Sequence, residues 1–187
     1  MKKALLFTLA FGLFLNASAQ NFKTVKARTL TWIGKAAYGF YEPRGEIKLE
    51  SARMEIQDNT LKALEVVIDM KSLSHDNSRL EKHLKNADFF EVNKYPQARY
   101  VLKEAVSLEN QTLKVRGMLT VKDKTQFEEF EVAITQLEDE VVLQFKVNVN
   151  RTDYGVTYNS PSLFQTMKNE AIDDKFQLKG RVQLFAR

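Results

Sequence analysis

The chain has 187 residues, a formal net charge of +4 and no cysteine. That length is enough for one domain with a sizeable core, and the lack of thiols excludes disulfide staples, thiolate metal sites and cysteine catalysis. Charges of both signs are interspersed, without the basic runs that grip a phosphate backbone, so no nucleic-acid partner is expected.

The first element is a leader. Lys2 and Lys3 precede an apolar run, Ala4 to Leu15, broken only by Thr8 and Gly12, and Ala17-Ser18-Ala19 forms a small-x-small cleavage site. This pattern predicts a signal peptide over residues 1–19, cleaved near Ala19. The apolar run is short of the roughly 20 residues needed to cross a bilayer, so no stable membrane span is expected. Lys2 and Lys3 leave with the leader, so the net charge falls from +4 to +2. Residues 20–187 carry no linker and no internal repeat and read as one exported domain.

From there the chain reads as strands. Weaker strand signals fall at Thr29–Lys35, Gly45–Leu49 and Ala52–Gln57, and the alternation Leu64, Val66, Ile68, Met70 is the first clear row with one buried face. A short helix is predicted around Ser78–Asn86. Asp76, Asn77 and Ser78 are candidate N-caps, Leu80 and Leu84 share a face, and Glu81 and Lys85 form an i,i+4 pair. The stretch after it, Leu84 to Pro96, holds Phe89, Phe90, Val92 and Tyr95, more apolar bulk than a solvent-facing connector carries.

Beyond Pro96, a weak strand at Ala98–Leu108 precedes four stronger rows. They are Leu113 to Val121, Phe130 to Ile134, Val141 to Val149, and Phe176 to Leu184. Asp58-Asn59, Glu109-Asn110, Lys122-Asp123-Lys124 and Glu138-Asp139 are the turn signals between strands. Tyr154 to Ile172 reads as a long irregular loop. About eight antiparallel strands, mostly joined to their sequence neighbours, point to an all-β up-and-down barrel or a sandwich. Gly117 and Gly180 interrupt apolar rows, marking either a close approach to the backbone or a gap in packing.

Chemical motifs are sparse. His75 and His83 are the only histidines, too far apart on one helix for a shared metal. No G-x-S-x-G elbow or glycine-rich phosphate loop occurs, and the acidic pairs Glu128-Glu129 and Asp173-Asp174 are sequence neighbours, as surface charges usually are. No catalytic residue, metal or cofactor is expected. Arg151-Thr152-Asp153-Tyr154-Gly155 has two readings: an Arg–Asp pair pinning a strand end, or a polar rim in which Arg151, Asp153 and Tyr154 meet a head group. The phenylalanines, thirteen in all and ten of them beyond the leader, suit either a packed barrel or a cavity for an apolar chain.

The run Leu80-x-x-His83-Leu84-Lys-Asn-Ala-Asp88-Phe89-Phe90-Glu-Val92-x-Lys94-Tyr95-Pro96 resembles the signature of the YceI-like family, polyisoprenoid-binding proteins of the bacterial periplasm. Gly117-Met-Leu119-Thr120-Val121 with Phe130, Arg151-Thr152-Asp153-Tyr154-Gly155-Val156, and Ile172-Asp173-Asp174 resemble later family motifs, in the right order. The resemblance implies an eight-stranded antiparallel lipocalin-like barrel, the helical insertion beside it, and a periplasmic protein that sequesters or transports a polyisoprenoid or similar long-chain apolar ligand.

Leu119, Phe130, Phe145, Val147 and Phe176 are then candidate cavity residues, although no motif fixes them, and Arg151, Asp153 and Tyr154 are rim candidates. Trp32 to Pro43 departs from the family's usual opening, which bears on ligand length or head group if these residues line the mouth. Alternatives from the residues alone are a non-catalytic stress-response or interaction module with a packed barrel, and an isoprenoid-processing enzyme. Oligomeric state is open, a dimer included.

Overall fold

The structure, a computed structural model, describes residues 19–26, 29–164 and 170–186, and the side chains of all of these except 24–26. The predicted leader lies almost wholly outside them. The strands are β1 (Gln20–Lys26), β2 (Thr29–Ile33), β3 (Arg44–Gln57), β4 (Thr60–Ser74), β5 (Gln97–Leu102), β6 (Val106–Ser107), β7 (Thr112–Val121), β8 (Lys124–Gln136), β9 (Glu140–Asn150) and β10 (Lys175–Ala186). The helix α1 (Ser78–Lys85) and a 3₁₀ turn (Arg151–Tyr154) complete the described elements.

Ten strands fill eight positions of a closed antiparallel barrel. β1 and β2 each pair with β3 on one side and β10 on the other, so together they form one broken stave. β5 and β6 likewise both pair with β4. The β3–β4 ladder completes the ring.

Register explains why some strands were hard to see. β3 is continuous, but a bulge between Leu49 and Ser51 shifts its inward residues from Ile47 and Leu49 to Ala52, Met54 and Ile56. Two separate weak strands were expected there; one strand with a phase change stands in their place. The Ala98–Leu108 strand is divided into β5 and β6, and β1 had no expected counterpart. The β3–β4 turn follows Asp58-Asn59, both with positive φ (49° and 53°), as a two-residue hairpin of the tight mirror type requires.

α1 forms where the capping residues place it. Asn77 accepts hydrogen bonds from Arg79 N and Leu80 N (3.0 and 3.2 Å), and Glu81 meets Lys85 at 2.7 Å. The chain then folds back through Phe90 N to Leu84 O and Val92 N to Lys85 O (both 3.1 Å), burying Phe89 and Val92. Helix and turn sit over one end of the barrel, its top, beside the β2–β3 loop and the 3₁₀ turn.

Both glycines inside apolar rows are close approaches. A Cβ on Gly117 would fall 2.3 Å from Val101 O and 2.8 Å from the Tyr100 ring; one on Gly180 would fall 2.3 Å from Leu30 Cδ2. The Tyr100 ring therefore lies across β7 at Gly117.

Candidate ligand cavity

The barrel is not packed solid. Its interior encloses a cavity of about 640 Å³, within the range of about 300–1,000 Å³ usual for small-molecule sites. The wall is built by alternation: Leu64, Val66, Ile68 and Met70 of β4 line it, and so do Val147 and Val149 of β9. Each strand contributes its inward row because side chains two apart share a face.

All five candidate cavity residues, Leu119, Phe130, Phe145, Val147 and Phe176, border this space. The helix and the turn after it close part of the top with Leu80, Leu84, Phe89 and Phe90, the last in edge contact with Phe176 (ring centroids 6.0 Å apart). Tyr95, expected to cover apolar surface with them, lies outside the wall and half-buried, its hydroxyl 3.3 Å from Asp123 Oδ2.

The mouth lies where wall residues are also exposed: Lys35, Tyr38, Phe40 and Tyr41 on the β2–β3 loop, with Glu170 and Lys175 on the adjoining segment before and at the start of β10. The Trp32–Pro43 stretch that departs from the family's opening thus lines the mouth. Trp32, the chain's only tryptophan, is buried in the wall with its Nε1 donating to Ser74 O at 3.1 Å.

The three rim candidates are placed differently. Arg151 is buried and touches the cavity wall, but its guanidinium donates to Asp173 O (Nε, 3.0 Å), Val156 O (Nη1, 2.7 Å) and Ile172 O (Nη2, 2.8 Å). Its acidic partner is Asp174, 3.7 Å away, not Asp153. Burial pushes the Arg151 pKa down, and the charges of Asp174 and Asp173 oppose that. This geometry clamps the start of β10 to the end of β9 and leaves the guanidinium turned to the backbone.

Tyr154 is buried off the cavity wall, and its hydroxyl donates to Glu128 Oε1 at 2.7 Å; burial, then that bond, raise its pKa. Asp153 is exposed, and its backbone carbonyl accepts from Gln126 Nε2 (3.1 Å). Above the Val132–Phe145 pair, β8 and β9 part, and the 3₁₀ turn fills the opening through these two contacts with β8.

Burial pushes the Tyr100 phenol up, with the negative charge of Glu128 adding to it. Asp174 is held below the usual carboxylate range. Burial works to raise it, but hydrogen bonds from Ser160 and Ser162 and the charge of Arg151 prevail. Among the described residues no group of three His, Asp or Glu side chains is arranged to hold a metal, and no helix is long and apolar enough to cross a membrane. His83 lies against Phe89 and Tyr158, and His75 Nδ1 accepts from Asn77 N.

A closed eight-position antiparallel barrel belongs to the class of folds whose interior is either filled by side chains or open to one small ligand, and here the interior is an apolar cavity with a loop-lined mouth. The model of the YceI-like domain matches residues 19–184, and the chain belongs to that family. It is similar in fold to a polyisoprenoid binding domain from Saccharophagus degradans implicated in plant cell wall breakdown (TM-score 0.65, 11% identity, covering 92% of this chain and 100% of that one). BcnA of Burkholderia cenocepacia (0.61, 15%, 83% and 94%) and a YceI protein of Campylobacter jejuni (0.56, 16%, 100% and 99%) share the fold too. In sequence, the chain is 35% identical over 60 residues to UPF0312 proteins of Vibrio cholerae, a match that spans 32% of this chain and 32% of those relatives.

Proposed function

We propose that this protein binds a polyisoprenoid or similar long-chain apolar lipid inside the barrel and carries or sequesters it in the periplasm, without chemistry, after removal of residues 1–19. The observation that carries this reading is the cavity. At roughly 24 cal/mol per Å³, leaving about 640 Å³ dry and empty would cost on the order of 15 kcal/mol. That matches the whole stability of an ordinary domain, about 5–15 kcal/mol. So large an apolar space supports a binding site over a packing fault, which weighs against a packed interaction module.

The driving force is apolar burial of roughly 0.8 kcal/mol per CH₂, several kcal/mol per isoprene unit, offset in part by ordering of the chain. Leu119, Phe130, Phe145, Val147 and Phe176 would contact it directly, and a polar head would sit at the mouth beside Lys35 and Lys175. Membership of the YceI-like family and the similarity in fold to a polyisoprenoid binding domain support the ligand class. A binding role also suits the wall chemistry: its charged groups are the Arg151 clamp and side chains near the mouth, and its deep strand rows are aliphatic and aromatic.

Trp32 provides the test. Titrating delipidated protein with a polyprenol in detergent should shift the fluorescence of this single tryptophan saturably and raise the melting temperature. An unchanged spectrum together with an unchanged melting temperature would refute the reading.

A further inference from the structure

Eight large apolar side chains are exposed among the described residues; three of them line the cavity mouth and three more sit on the loop hydrogen-bonded to it. Tyr38 (59% exposed), Phe40 (105%) and Tyr41 (62%) lie on the β2–β3 loop; Tyr158, Leu163 and Phe164 lie on the loop before β10. Phe127 and Leu137 stand apart, on β8 and on the β8–β9 turn. The two loops are bound together by Ala37 N to Ala171 O (2.8 Å) and Asp173 N to Lys35 O (2.9 Å), and Ile172 N to Asn159 O (2.9 Å) braces the second loop internally. Scattered single apolar residues on a surface are ordinary, but a concentration at one end marks a place of contact.

Two observations identify what that contact is. First, Tyr38, Phe40 and Tyr41 are both rim and cavity wall, so apolar surface runs without a break from the interior to the outside. A water-insoluble chain entering the barrel would leave hydrocarbon and pass these rings without crossing water. Second, the rim is mixed in the way lipid interfaces favour, with phenols able to sit at head-group level beside purely apolar rings. Lys35 on the β2–β3 loop and Arg44 at the start of β3 share one carboxylate, Glu42, at 3.6 and 3.5 Å, so two cations are balanced by one anion at a place where lipid phosphates could complete the pairing.

We propose that this aromatic rim docks the cavity mouth onto the surface of a phospholipid bilayer, from which the lipid ligand passes directly into the barrel. The proposal rests on the ligand reading above and adds where the ligand is collected. The test uses Leu163→Ser/Phe164→Ser, because both side chains are exposed and neither lines the cavity.

The wild-type protein is expected to float with vesicles of phosphatidylcholine and phosphatidylglycerol, and the double variant to partition more weakly by on the order of tenfold or more. Transfer of a polyprenol from those vesicles should slow in parallel, while the Trp32 response to polyprenol supplied in detergent stays the same. Docking is overturned if the wild type does not float, if the variant floats equally well, or if the rim proves to join two copies in solution. A Trp32 response absent in both proteins would count against the ligand reading, and flotation would still decide docking.

Discussion

Val147→Phe distinguishes a cavity from a packed core by the sign of its effect. Val147 sits on β9 opposite Leu178 of β10, and both residues border the cavity. The substitution adds four carbons. If they enter existing space, burial at roughly 0.8 kcal/mol per CH₂ stabilises the ligand-free barrel by up to about 3 kcal/mol. For a domain of this length each kcal/mol raises the melting temperature by about 2–4 °C. In a packed interior the same change would overfill the site and destabilise by about 1–3 kcal/mol. The added ring also occupies the volume of nearly one isoprene unit, so polyprenol affinity should fall by about a hundredfold. Urea unfolding of delipidated protein, read beside a Trp32 titration, gives both numbers. Destabilisation with unchanged affinity would refute the reasoning.

Substitutions at three further residues probe the frame of the site. Gly117→Ala places a Cβ 2.3 Å from the backbone oxygen of Val101, which cannot retreat without breaking the β5–β7 ladder, so urea unfolding should show a loss of about 2 kcal/mol or more. Arg151→Met takes the guanidinium donors from three backbone carbonyls and the buried cation from Asp174, and should cost about 3 kcal/mol or more by the same measurement. Arg151→Lys should recover little, because one ammonium cannot reach all three carbonyls. The Asp174 carboxyl has a lowered folded-state pKa, so its contribution is complete above the unfolded aspartate value near about 4 and is lost as pH falls through the lower folded value. Asp174→Asn should therefore flatten the fall in stability on acidification below about pH 4, seen in melting temperatures across that range.

Much of the barrel was legible because one face of each strand is buried. The rows on β4, β7, β9 and β10 and the α1 caps could be read directly from spacing. Where a bulge changes phase, as between Leu49 and Ser51, alternation breaks into fragments too short to join by eye. β1 went unread because Gln20 to Lys26 offers little alternation beyond Phe22, which is 1% exposed, and sits directly after the leader.

The strand rows also placed side chains on the inner face without saying whether those faces meet. The cavity is the space left between rows contributed by distant parts of the chain, and no local pattern encodes its volume. Arg151 illustrates the same limit. A neighbouring Asp153 is the obvious partner in sequence, yet the 3₁₀ turn points the guanidinium back to the Ile172–Asp174 backbone. The six exposed apolar residues of the two loops were present in the sequence but scattered, and only the hydrogen bonds between those loops bring the loops together.

The most direct test of lipid binding is solvent extraction of the protein purified from its own source, followed by mass spectrometry of the extract. A long-chain polyisoprenoid, or a lipid of similar length, recovered at near one per protein is the predicted result. No apolar ligand in the extract, combined with no stabilisation by added polyprenol, would contradict it.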